Sequence, residues 1–243
     1  MDLLGFREAA VKSCMEDWKL AIQEKTHHPD INRIVKGSGY ANYMDWKENG
    51  RAEWMWCGIF CACHLRNIGF HPNLRPGLWH VKNVENFFTY QYEKRVPRWI
   101  TVDGKEYEVK VFHEQKNAPR MWLTHQMIVD MVHEDGSHMV GFSDVGLVGP
   151  GDILLVDGNG DGSSNHITMV ASYENNIITT VEGNAGGLLF DGENLDGTFK
   201  TKEVKGDGVT LNKRDLSNPS HLKKIYGIGR FSAEDFNGSH TYE

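Results

Sequence analysis

The chain has 243 residues, 40% of them hydrophobic and 11% aromatic, which is enough for a sizeable core, and one domain spanning 1–243 is the simplest reading. Its formal charge of -7 comes with no basic stripe, which argues against nucleic acid and against electrostatic attraction to anionic membranes. Neither the N-terminal stretch MDLLGFREAAVKSCMEDWKLAIQEK nor any later one has the apolar length of a signal peptide or a membrane span. Work outside the cytoplasm, in the periplasm or the cell wall, would therefore need a non-Sec route.

Phe6, Ala10, Cys14, Trp18 and Ala21 recur at helical spacing and predict a helix over 6–24, ended by THHPD. Residues 36–50, KGSGYANYMDWKENG, read as a polar, glycine-bearing loop carrying Tyr40, Tyr43 and Trp46. A second helix is expected over 56–68, stopped by Gly69 and Pro72, and apolar side chains nearly all round it predict burial. Residues 81–92 suit another helix. Residues 98–112 suit a hairpin turning at Asp103-Gly104, and 119–132 a helix opened by Pro119.

The second half changes character. Strands are expected at 151–157, 166–173, 177–183, 197–204 and 223–231, separated by Gly, Asn and Asp turns. Helices first and strands second predict an α+β domain, with the 56–68 helix packed on an antiparallel sheet.

Three of the four cysteines fall in RAEWMWCGIFCACHLRNIGF, residues 51–70. On one helix Cys57, Cys61 and Cys63 are poorly placed for disulfides among themselves. Cys61 and Cys63 point roughly 200° apart, so they cannot chelate one ion, and no second cysteine pair completes a zinc site. Cys61 and Cys63 read as small core residues. Cys57 differs because it falls in the first turn, where unpaired N–H groups and the helix dipole stabilise a thiolate. Its own N–H is placed to donate to an oxyanion.

A thiolate nucleophile needs an imidazole. His64 lies seven residues on, about 10 Å along the axis, and cannot reach. The best alternative is the hairpin NHITMVASYENNIITTVEGN, with His166 opening one strand and Glu182 and Asn184 ending the other. A three-residue loop Glu174-Asn175-Asn176 would set 173 opposite 177 and 166 opposite 184. His166, Glu182 and Asn184 would then share a face, whereas a two-residue Asn-Asn turn would shift the register by one and split them.

The order of WCGIFCACHLRNIGF, GPGDILLVDGNGDGSSNHITMV and TVEGN resembles the CHAP family, the cysteine, histidine-dependent amidohydrolases and peptidases with a papain-like core. The resemblance covers residues 40–69 and 148–186 and extends to the strand KIYGIGRF. It implies Cys57 as nucleophile, His166 as base, Glu182 as the carboxylate orienting it and Asn184 as a supporting polar residue. It also implies peptidoglycan as substrate, cut in the stem peptide or at the sugar–peptide amide, by a lysin or by an effector with an immunity or inhibitor protein as partner. Tyr40, Tyr43 and Trp56 are candidates for the oxyanion and substrate side. The 109 positions from Cys57 to His166 exceed a minimal domain of this kind, so 75–140 reads as an inserted helix–hairpin–helix region. No separate wall-binding domain is evident.

Asp157, Asn159 and Asp161 in DGNGDG match the first half of a calcium loop, but the twelfth position is Thr168 rather than Glu. The expectation is no required cofactor, with calcium at most a weak structural ligand. Two other readings fit the same residues: an amidase on a non-wall amide, and an inactive binding protein on the same fold.

Overall fold

The computed structural model describes residues 3–26, 28–39, 56–70, 81–89, 96–102, 105–111, 121–130, 148–231 and 233–236. Its helices, in chain order, are α1 (Leu3–Lys19), α2 (Asp30–Gly37), α3 (Trp56–Asn67), α4 (Val81–Thr89), α5 (His125–Asp130) and α6 (Pro219–Leu222). Its strands are β1 (Val96–Val102), β2 (Lys105–Val111), β3 (Met121–Thr124), β4 (Ile153–Val156), β5 (His166–Glu174), β6 (Ile177–Glu193), β7 (Phe199–Asp215) and β8 (Ile225–Arg230). All eight join one open antiparallel sheet in the order β1-β2-β3-β8-β4-β5-β6-β7. The fold is α+β, as the succession of helices and strands predicts.

Period-two alternation divides the central strands between two cores. Ile153, Leu155, Ile167, Met169 and Val181 pack with α1, α2 and α3. Leu154, Val156, Val170, Ile178 and Ile228 form the second core with Ile128 of α5. Helix α3 is enclosed: every residue from Trp56 to Leu65 is buried. Gly69, at φ +93°, ends it in a conformation that a side chain would resist. On one flank α2 comes so close that a Cβ on Gly37 would lie 2.3 Å from Cys63 Sγ. On another flank β6 comes equally close, and a Cβ on Gly183 would lie 2.5 Å from Phe60 Cβ. The glycine of the TVEGN motif is thus fixed by packing between helix and sheet.

Several elements depart from expectation. The first helix stops at Lys19, and Ala21 has φ +52°, outside any helix. Residues 30–37 form α2, with Ile31, Ile34 and Val35 buried at helical spacing. MWLT is a strand and not the start of a helix. It pairs with β8 from Met121↔Arg230 to Thr124↔Gly227, which sends Trp122 and Leu123 into the two different cores. The strands expected at 177–183 and 197–204 are each 17 residues long and form one extended arm, its glycines absorbed at register breaks. The hairpin β1–β2 has Val102 opposite Lys105, as the Asp-Gly reading requires, while Asp103, Gly104 and Pro119 lie outside the described residues.

Candidate active site

Cys57 stands in the first turn of α3 and is 2% exposed. Its thiol faces the start of β5, where the His166 imidazole and the Ile167 backbone N–H act on it, together with the Gly58 N–H of its own helix. Burial alone would push this thiol up. The His166 hydrogen bond and charge, with the two backbone donors, outweigh burial and hold it below its ordinary value. The other cysteines behave oppositely. Burial raises Cys61 and Cys14 well above theirs, and burial with the nearby Asp17 charge pushes Cys63 up to about 11. All four thiols are buried, and of them only Cys57 is held low.

His166 and Glu182 meet at 2.9 Å, Nε2 to Oε2. They share a hairpin face, but not through the expected loop. The turn has two residues: Glu174 pairs Ile177, and Asn175 and Asn176 have φ +50° and +63°, the left-handed pair of a type I′ turn. That register alone would send His166 and Glu182 to opposite faces. A bulge at Ala171 inserts the missing residue, so Ser172↔Thr179 gives way to Val170↔Thr180 and Met169↔Val181. The bulge does what the longer loop was expected to do.

The carboxylate meets Nε2 of His166, so Nδ1 is the ring atom left for Cys57. Burial opposes the charged imidazolium, but its bonds to Cys57 and Glu182 prevail and raise it to about 10. Glu182 is 1% exposed. Burial would raise its carboxyl, yet the Arg214 guanidinium, together with the His166 hydrogen bond and charge, holds it well below the usual carboxylate range. Arg214 Nη1 lies 2.6 Å from both Glu182 Oε1 and Thr180 Oγ1, and Thr180 also donates to Glu182 Oε1. Both oxygens of Glu182 are therefore engaged, Oε1 by Arg214 and Thr180 and Oε2 by His166.

Arg214 and Thr180 are site residues that sequence reasoning missed. Thr180 lies two positions before Glu182, so the strand period alone puts it on the same face. Arg214 enters from β7, opposite Ile178, and only the β6–β7 register reveals it.

Asn184 follows at φ +58°, where β6 breaks register between Glu182 and Ala185, and it lines a cavity of about 380 Å³ together with His166 and Glu182. Trp56 is 1% exposed and packs on Gly183, with its indole Nε1 unpartnered among the described residues. Tyr40 and Tyr43 lie outside the described residues. The Asp157 carboxylate accepts from the backbone N–H groups of Gly160, Asp161 and Gly162, so the loop's own backbone occupies the oxygens that a cation would take. Asn159 donates to Asp161 in the same loop.

The Gly-Asp before β4 also has a physical account. Asp152 is fully buried, paired with Arg230 at 2.7 Å and Arg7 at 3.0 Å, and it joins β8 to α1 beneath the sheet.

No family model, no curated protein and no solved structure matches the chain.

Proposed function

We propose that the chain is a cysteine amidohydrolase or endopeptidase of the CHAP type, on a papain-like fold, that cleaves amide bonds of bacterial peptidoglycan as a lysin or an antibacterial effector. The observation that carries the reading is the line Cys57–His166–Glu182, in which the thiol is shifted down, the imidazole up and the carboxylate down. Those three shifts favour a resting thiolate–imidazolium pair.

The thiolate attacks the amide carbon. Negative charge gathers on the carbonyl oxygen, and the N–H groups at the head of α3 are the nearest fixed donors for it. The imidazolium gives its proton to the departing amine and the C–N bond breaks. Water then enters, neutral His166 takes its proton, and the hydroxide releases the acyl group and restores the thiolate. Glu182 keeps the ring oriented and balances its charge throughout. Nothing in this sequence calls on a metal.

The substrate class rests on the resemblance, and its test is direct. Purified sacculi incubated with the protein should release fragments whose masses identify the bond cut, and the Cys57→Ala variant should release none. Intact sacculi, with turnover of a simple peptide amide, would discard the wall substrate and keep the hydrolase.

A further inference from the structure

The cavity beside His166 has a chemical character opposite to that of the whole molecule. The chain carries a formal charge of -7, yet the residues around this cavity include Lys213, Arg214 and Lys224, and one carboxylate, Glu182. That carboxylate is unavailable to a ligand, because one oxygen faces Arg214 and Thr180 and the other faces His166. Lys224 is exposed and has no ion-pair partner among the described residues. Its backbone is held in place, since its carbonyl accepts from the Asp157 N–H at 2.9 Å.

His221 supplies a second kind of donor. Its Nδ1 accepts from the Asp215 backbone N–H at 3.0 Å, so a neutral ring must carry its hydrogen on Nε2. Asn184 lines the same cavity, and its left-handed backbone places it at the register break beside His166. The walls thus offer cations and N–H donors, and the only anion among them is already neutralised. A volume of about 380 Å³ exceeds the need of a carboxylate alone and sits at the lower end of small-ligand sites.

We propose that this cavity is a carboxylate-recognition subsite, so that the substrate is an amide bearing a free carboxylate close to the scissile bond. The inference rests on the hydrolase reading and narrows it. An uncharged stem, or one whose acid is amidated, becomes a poor substrate. Lys224 draws the carboxylate in, and the Nε2–H of His221 with the Asn184 amide gives it direction. His166 lines the cavity and Cys57 does not, so an acid bound there sits beside the imidazole without displacing the thiolate.

The test titrates isotopically labelled protein with N-acetylglutamate and, separately, with neutral N-acetylglutaminamide, following the imidazole nitrogen signals of His166 and His221. The acid should give saturable shifts of both rings at a concentration at least tenfold below that needed by the amide. That discrimination should fall severalfold in Lys224→Met and persist in Lys200→Met, a charge removed from the distant end of the β6–β7 arm. Equal shifts by acid and amide, or undiminished discrimination in Lys224→Met, would overturn the subsite. Alkylation of Cys57 by iodoacetamide on the same sample reports separately on the hydrolase reading. A sluggish thiol with acid-selective shifts discards the enzyme and keeps the subsite. A fast thiol without acid selectivity does the reverse.

Discussion

Helix α3 carries two histidine–carboxylate constellations of nearly the same composition, and they differ in everything that makes a site. At its head, His166 acts on Cys57 and bonds Glu182, which in turn bonds Arg214. On its flank, Ser13 Oγ sits 2.7 Å from His64 Nδ1, His64 Nε2 is 3.2 Å from Asp17 Oδ2, and Arg33 pairs with Asp17 at 2.5 Å. Each set has a hydroxyl or thiol, an imidazole, a carboxylate and a guanidinium. The second, however, has its serine on the middle turns of α1, away from the unpaired N–H groups at the helix start, and its imidazole is wholly buried. Its His64 Nε2 and Asp17 Oδ2 are close but misaligned, and neither makes a hydrogen bond there. His166 instead keeps 19% of its side chain exposed and borders a cavity. The list of residue types does not distinguish a catalytic triad from a polar clamp between two helices. The two sets part at the helix head, at the His166–Glu182 hydrogen bond and at the cavity beside His166.

The largest contrast should come from two cysteines of α3. Cys57→Ser should abolish amide hydrolysis, by at least about a thousandfold, because an alcohol at that position lacks the acidity that the helix head and His166 exploit. Cys61→Ser buries a hydroxyl in the core and should lower stability by about 1–3 kcal/mol if the hydroxyl finds no partner, with the rate largely kept. Full hydrolysis by Cys57→Ser would remove the cysteine mechanism.

Next comes the carboxylate. Glu182→Gln preserves shape and removes charge, and should lower kcat by about 10²–10⁴-fold, the range seen for triad carboxylates. Arg214→Met acts one step further out and should lower kcat by about tenfold. It should also move the acid limb of the pH profile upward, because the guanidinium is the leading influence holding the Glu182 carboxyl down. An Arg214→Met enzyme with a slower rate but an unmoved acid limb would assign Arg214 to packing alone. Asn184→Ala removes a neutral group and should cost less than either.

What the sequence discloses and what it hides follow from range. Helix α3, its stop at Gly69 and the position of Cys57 at its head are local properties, and they are legible in WCGIFCACHLRNIGF. The pairing of His166 with Glu182 was reached by a loop length that does not occur. It survives because the Ala171 bulge shifts the register by the same single residue. No propensity in ITMVASY marks that bulge. β3 was hidden because four residues carry too little periodicity to separate a strand from a helix turn, and its partner β8 lies about a hundred residues away. Arg214 was hidden for the same reason, since its place depends on the register of two strands broken by several glycines. The choice of Nε2 for Glu182 is a matter of ring orientation, which no spacing encodes.

Acidity sharpens the comparison from another side. The His166 pKa is raised from 6.5 to about 10. Its stabilising contribution is therefore complete below pH 6.5 and lost as pH rises through about 10. Glu182 is depressed from 4.5, so its contribution is present above that pH and lost as pH falls through its lower folded value. The stability gap between wild type and His166→Asn, followed by urea denaturation, should be widest between these limits and shrink toward pH 10. Activity should fall over the same alkaline range as the imidazolium disappears. A gap that stayed constant from pH 6.5 to 10 would mean that His166 is not held charged.

The smallest effect on turnover belongs to the flank. Ser13→Ala removes the hydroxyl 2.7 Å from His64 Nδ1 and leaves that nitrogen without its partner in a ring that is 0% exposed. An unsatisfied buried group of this kind costs about 1–3 kcal/mol, and the loss should appear as a lower urea midpoint with an unchanged slope. Turnover should stay within about twofold of wild type, because α1 supplies no group to the Cys57–His166 line and the clamp acts only through the position of α3. The two readouts separate the constellations. A stability loss with intact turnover keeps Ser13, His64 and Asp17 as a clamp between α1 and α3. A hundredfold loss of kcat at native stability would make Ser13 the nucleophile and reverse the assignment of the two sets.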